Sequence, residues 1–147
     1  MKKTPGAVTP LETGASGRAR SPEALDVFAE LFGEERAKAV AEKETPLDRD
    51  FNTYMINNIG LGPWGRRVLS LPELSIATLS LLAAQGKLGQ FESHLRLALN
   101  VSKVSPEKIR ELLLHLVMYC GMPVGPDLFG IARRVFRELG IDVSKLD

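Results

Sequence analysis

The chain has 147 residues, 44% of them hydrophobic and 25% charged, and its 19 Lys and Arg against 18 Asp and Glu leave a formal net charge of +1. That length suits one domain with a core of its own, and that composition excludes a disordered or fibrous chain. A charge so close to balance supplies no field to gather a phosphate backbone, so nucleic acid is not an expected partner.

In chain order, residues 1–20 (MKKTPGAVTPLETGASGRAR) hold Gly, Pro, Thr and Ala with little to bury, and read as a mobile N-terminal tail. Lys2 and Lys3 are followed by Thr4, Pro5 and Gly6 where a signal peptide would need its apolar run. A single all-helical domain is expected over 21–147. Ser21-Pro22-Glu23 opens its first helix with a capping hydroxyl, a proline at N1 and an early carboxylate, and Leu25, Phe28, Leu31 and Phe32 follow at helical spacing. Gly33 interrupts, and Glu34 to Lys43 continues as a charged, alanine-rich helix up to Thr45-Pro46. A third helix is expected from Leu47 to Asn58, broken by Gly60-Leu61-Gly62-Pro63 before Trp64.

The run SIATLSLLAA from Ser75 to Ala84 reads as a buried central helix, and Phe91 to Val101 as the next, with Phe91, Leu95, Ala98 and Leu99 on one face. Ser105-Pro106-Glu107 repeats the start signal for a helix carrying Ile109, Leu112, Leu113, Leu116, Val117 and Cys120, ended by Gly121-Met122-Pro123. A last helix spans Pro126 to Glu138, with Gly140 as its C′ residue. No alternating strand pattern occurs, so the fold class is all-α, with about six to seven helices. No apolar run is long enough to span a bilayer.

His94 lies at the edge of its helix's apolar face, a position that suits either a pocket wall or a half-buried ring bonded to backbone or solvent. His115 and Tyr119, four apart, share a face that either addresses a ligand or caps the core edge. Arg96 points away from His94, whereas Arg66 and Arg67 beside Trp64 are candidates for holding an anion, or plain exposed loop arginines. There is no metal-ligand spacing, phosphate loop or nucleophile elbow, so neither a metal nor a cofactor is expected. The lone Cys120 excludes an intrachain disulfide and a CxxC pair and suits a reducing cytoplasm.

Several ordered blocks together resemble the carboxymuconolactone decarboxylase family. They are Trp64-Gly65 with Ser70, Pro72 and Leu74; Leu79, Leu81-Leu82-Ala83-Ala84 and Gly86; His94-Leu95-Arg96 with Ala98-Leu99-Asn100; and EKIRELLLHLVMYCGMP from Glu107 to Pro123. The resemblance covers Phe51 to Glu138. It implies an alkylhydroperoxidase D-like helical bundle assembled as a homo-oligomer, a trimer or hexamer. It also implies cofactor-independent decarboxylation of a small carboxylated lactone such as γ-carboxymuconolactone, in aromatic catabolism. His94 would be the catalytic proton donor or oxyanion partner, Trp64 a pocket wall, Arg66 or Arg67 a carboxylate holder and Tyr119 a hydroxyl donor. Redox relatives carry a CxxC pair where this chain has Lys87 and Gln90, which excludes dithiol peroxidase chemistry. The polar turn that usually precedes the central helix is missing, and Ser75 stands where many relatives have glutamate. The alternative is therefore a catalytically silent oligomer binding a small acidic or apolar ligand; a protein-interaction module is a third reading. Leu112, Leu113, Leu114, Leu116 and Val117 cover more than one side of their helix, more than one monomer core would bury, and also point to an oligomer.

Overall fold

A computed structural model describes residues 19–146, and among them there are eight α-helices and no strand. Seven of the helices have ten residues or more, in line with the all-α expectation. The tail expectation falls mostly on residues 1–18, outside the described part. Its last two residues are held: Asn57 Nδ2 donates to the Ala19 carbonyl (3.3 Å), and Arg20 pairs with Glu44.

Helices α1 (Pro22–Phe32), α2 (Glu34–Lys43) and α3 (Arg49–Gly60) form an N-terminal layer. Ser21 caps α1 by accepting from the Ala24 N–H, and its own N–H donates to Asn57 Oδ1 (2.9 Å), which ties the start of α1 to α3. Gly33 takes φ +91°, a left-handed value that glycine adopts without a Cβ penalty, and this redirects the chain from α1 into α2. Ala24, Phe28, Ala37 and Ile56 make a small core between these helices.

A single turn, α4 (Pro63–Arg66), leads to α5 (Leu71–Ala84), α6 (Leu88–Asn100), α7 (Pro106–Cys120) and α8 (Gly125–Glu138), with 3-10 turns at Met122–Val124 and Val143–Lys145. Their main core includes Leu79, Phe91, Leu95, Ile109, Leu113, Leu128 and Val135, all fully buried or nearly so. Each such large side chain contributes about 1.5–3 kcal/mol on burial.

Three helix starts correct the sequence reading, the first being α6, which begins at Leu88, three residues before Phe91. The central helix α5 begins at Leu71, four residues before Ser75. Ser70 and Glu73 form a reciprocal capping box and Pro72 sits in the first turn, so the segment before Ser75 is helix, not loop. The third helix begins at Arg49 rather than Leu47, because Thr45 donates both its N–H (2.6 Å) and its hydroxyl (2.8 Å) to Asp48 Oδ1 and holds a turn there.

The leucines of α7 mostly find a place in the monomer: Leu112, Leu113 and Leu116 are buried, and Val117 is half-buried. What is left outside is Leu114, Met118, Tyr119 and, just beyond the helix, Met122. No helix among the described residues is long and apolar enough to cross a membrane.

Candidate active site

His94 occupies the seam between the two layers. Its neighbours Phe91, Leu95 and Ala98 point into the main core, which leaves the ring at the border of that face, looking toward the N-terminal layer. There the Phe32 ring meets it edge-on, with centroids 5.7 Å apart and planes at 88°. The Trp64 indole lies 6.1 Å away, tilted by 38°.

Two glycines bring Trp64 to this place. A Cβ on Gly65 would fall 1.6 Å from the Gly60 carbonyl oxygen, so only glycine lets α4 fold this tightly onto the end of α3. A Cβ on Gly60 would in turn fall 2.3 Å from the Ala24 Cα, so α1 and α3 cross with backbones in contact.

Between the layers lies a cavity of about 410 Å³. On the N-terminal side, Phe28 and Phe32 come from α1, Arg36 and Val40 from α2, and Asn52, Met55 and Ile59 from α3. The opposite wall is one edge of α6, with Gly89, Gln90, Ser93 and His94. The surface is thus mainly apolar with a few polar groups, a composition that suits a small organic ligand.

Burial pushes the His94 pKa below its ordinary value, and the positive charge of Arg36 adds to the shift. The ring is therefore neutral near pH 7. Its Nδ1 is buried with no hydrogen-bond partner among the described residues. An orphaned, solvent-inaccessible ring nitrogen costs about 1–3 kcal/mol.

The other residues singled out from sequence do not converge here. Trp64 touches the His94 ring but is not among the cavity-lining residues. Arg66 is exposed at the end of α4, and Arg67, in the left-handed conformation at φ +54°, pairs with Glu30 of α1. Neither lines the cavity. Tyr119 is 76% exposed on α7 and lies against His115 with ring centroids 4.6 Å apart; neither of the two lines the cavity. Arg96, as expected, turns from His94, and it pairs with Glu92 (3.0 Å) and Glu138 (2.5 Å). Ser75 is fully buried and donates to the Ser102 hydroxyl (2.7 Å), so it presents no charge to the cavity.

Arg36 is the residue that sequence reasoning missed. Its guanidinium lies 5.2 Å from the centroid of the Phe32 ring, close enough for a cation–π contact. In sequence it belongs to a charged, solvated-looking helix. Gly33 separates it from Phe32, so helical spacing could not have paired the two. Gln90, which stands where redox relatives have a cysteine, also lines the cavity.

Comparison with known proteins agrees with this reading of the blocks. The chain is 28% identical over 128 residues to a 4-carboxymuconolactone decarboxylase of Acinetobacter baylyi, covering 87% of this chain and 95% of that one. No solved structure matches significantly. The sequence model of the carboxymuconolactone decarboxylase family matches residues 54–134, a span that holds Trp64 and His94 but not Arg36, and the chain belongs to that family.

Proposed function

We propose that this protein is a cofactor-independent decarboxylase of a small carboxylated lactone, γ-carboxymuconolactone being the first substrate to test. The observation that carries the reading is the neutral, half-buried His94 on the wall of a mainly apolar cavity that also holds a cation. The relative from Acinetobacter baylyi supports the same class of reaction.

The chemistry needs little more. When the carbon–carboxylate bond of such a lactone breaks, its electron pair passes through the ring double bond to the lactone carbonyl oxygen, CO₂ departs, and a proton must return to carbon. A neutral imidazole N–H can hydrogen-bond the developing oxyanion. A bound dianionic substrate raises the ring's pKa, so the imidazole takes up a proton on binding and can then deliver it. The apolar walls withhold solvent from the departing carboxylate, whose charge is dispersed as the bond breaks.

The test is conversion of γ-carboxymuconolactone by the purified protein, with CO₂ release matching lactone loss. Lactone binding without CO₂ would favour the silent ligand-binding reading, which the replacement of a charged residue by the closed Ser75–Ser102 pair supports.

We also propose a homo-oligomer, built through the exposed apolar face of Leu114, Met118, Tyr119 and Met122. Light scattering should give a mass several times that of one chain, and a monomer at micromolar concentration would contradict it.

A further inference from the structure

Among the described residues, Arg36 is the cavity's sole guanidinium, and no carboxylate lies within ion-pair distance of it. Of the other arginines near the N-terminal layer, Arg20 and Arg49 pair with Glu44 and Arg67 with Glu30, while Arg66 is exposed and does not line the cavity. Arg36 is exposed yet lines the cavity, so it stands at the rim with its guanidinium beside the Phe32 ring.

Resting on the decarboxylase reading above, we propose that Arg36 binds the carboxylate that the substrate keeps, not the one it loses. The charge balance of the reaction decides between the two. A cation beside the departing carboxylate would stabilise the charge most in the ground state and lose that interaction as CO₂ forms, which raises the barrier. A cation on a carboxylate that stays charged throughout binds ground state and transition state alike, and so fixes orientation at no cost to the chemical step. The cavity lining offers both a cation, Arg36, and apolar surface without one. The departing group then belongs against Phe28, Met55 and Ile59, where there is no cation, and the retained group belongs at the rim, where part of its hydration survives. Gln90, on the α6 wall, is the amide available to hold the lactone, because the Asn52 side chain is drawn to Asp48. Arg36 lies outside the family-matched span, so the anchor comes from the N-terminal helices and not from the block that supplies His94.

The experiment uses two unreactive saturated γ-lactones as probes, one bearing only the acetate side chain that decarboxylation leaves, the other only the ring carboxylate. Titration calorimetry on the full chain should show Arg36→Gln weakening the acetate probe about tenfold to hundredfold, the usual effect of losing a charge-assisted bond. Arg36→Lys should recover part of that loss, and the ring-carboxylate probe should respond little. On γ-carboxymuconolactone, Arg36→Gln should act mainly on KM. Arg36 dependence that follows the ring carboxylate, or no dependence for either probe, overturns the assignment. Arg36-dependent binding of the acetate probe by a wild type that releases no CO₂ would sink the decarboxylase reading and leave Arg36 as the anion anchor. Ring NMR of His94 controls for folding: its pKa should rise in Arg36→Gln, because a repelling charge is gone.

Discussion

Substituting Gly60→Ala should cost about 3 kcal/mol and deform the cavity as well. By helix propensity alone the change would stabilise α3 by up to about 1 kcal/mol. Sterics reverse the sign, because the new Cβ would sit 2.3 Å from the Ala24 Cα and 2.7 Å from the Ala24 oxygen. Ordinary contacts between carbon atoms begin near about 3.5 Å, so α1 must retreat by about 1.2 Å, and backbone on both sides leaves no flexible side chain to give way. That retreat strains the α1–α3 crossing, worth about 1–3 kcal/mol, and it partly exposes Phe28, which is 2% exposed at present. For a chain of this size, the sum lowers the melting temperature by roughly 6–12 °C. Thermal unfolding followed by circular dichroism measures it, and affinity for the acetate lactone should fall in parallel because Phe28 lines the cavity. A melting temperature within 2 °C of wild type would refute the close-contact argument.

Other outcomes follow from the same geometry. Ser75→Ala should cost about 1–3 kcal/mol by leaving the Ser102 hydroxyl buried and unbonded, whereas Ser75→Ala with Ser102→Ala should be closer to neutral; additive losses would deny the pair its coupling. His94 is held neutral in the folded protein, chiefly by burial and then by Arg36, so the unfolded chain binds the proton more readily. Stability should therefore fall as pH drops through about 6.5, and level off below the folded-state pKa. His94→Gln should lose that part of the dependence; equal slopes in both proteins between pH 7.5 and 5 would contradict the burial argument.

The helices were legible because their signals are local. Three Ser-Pro-Glu or Ser-x-x-Glu starts, at Ser21, Ser70 and Ser105, cap helices, and the second sets α5 four residues ahead of the apolar run that begins at Ser75. His94 was legible as an edge residue from the spacing of Phe91, Leu95 and Ala98, but its cavity was not. That cavity depends on Gly60 and Gly65 drawing α1, α3 and α4 together, a tertiary approach with no periodic signature. Arg36 was hidden by its charged helix and by the break at Gly33, and Arg66 and Arg67 looked better placed. They adjoin Trp64 in sequence, yet α4 is a single turn, and the left-handed Arg67 carries its side chain to Glu30. Tyr119 shared a face with His115 as the spacing required, but α7 packs on α5 and α8, away from the N-terminal layer that walls the cavity.

The central claim is that the His94 ring performs the proton chemistry of decarboxylation. Turnover of γ-carboxymuconolactone by His94→Gln, a variant that keeps a polar side chain of similar reach, tests it most directly. The account predicts a kcat lower by about 100-fold to 10,000-fold, with melting temperature at pH 7.5 near wild type and the acetate lactone still bound. A kcat within a fewfold of wild type would contradict it.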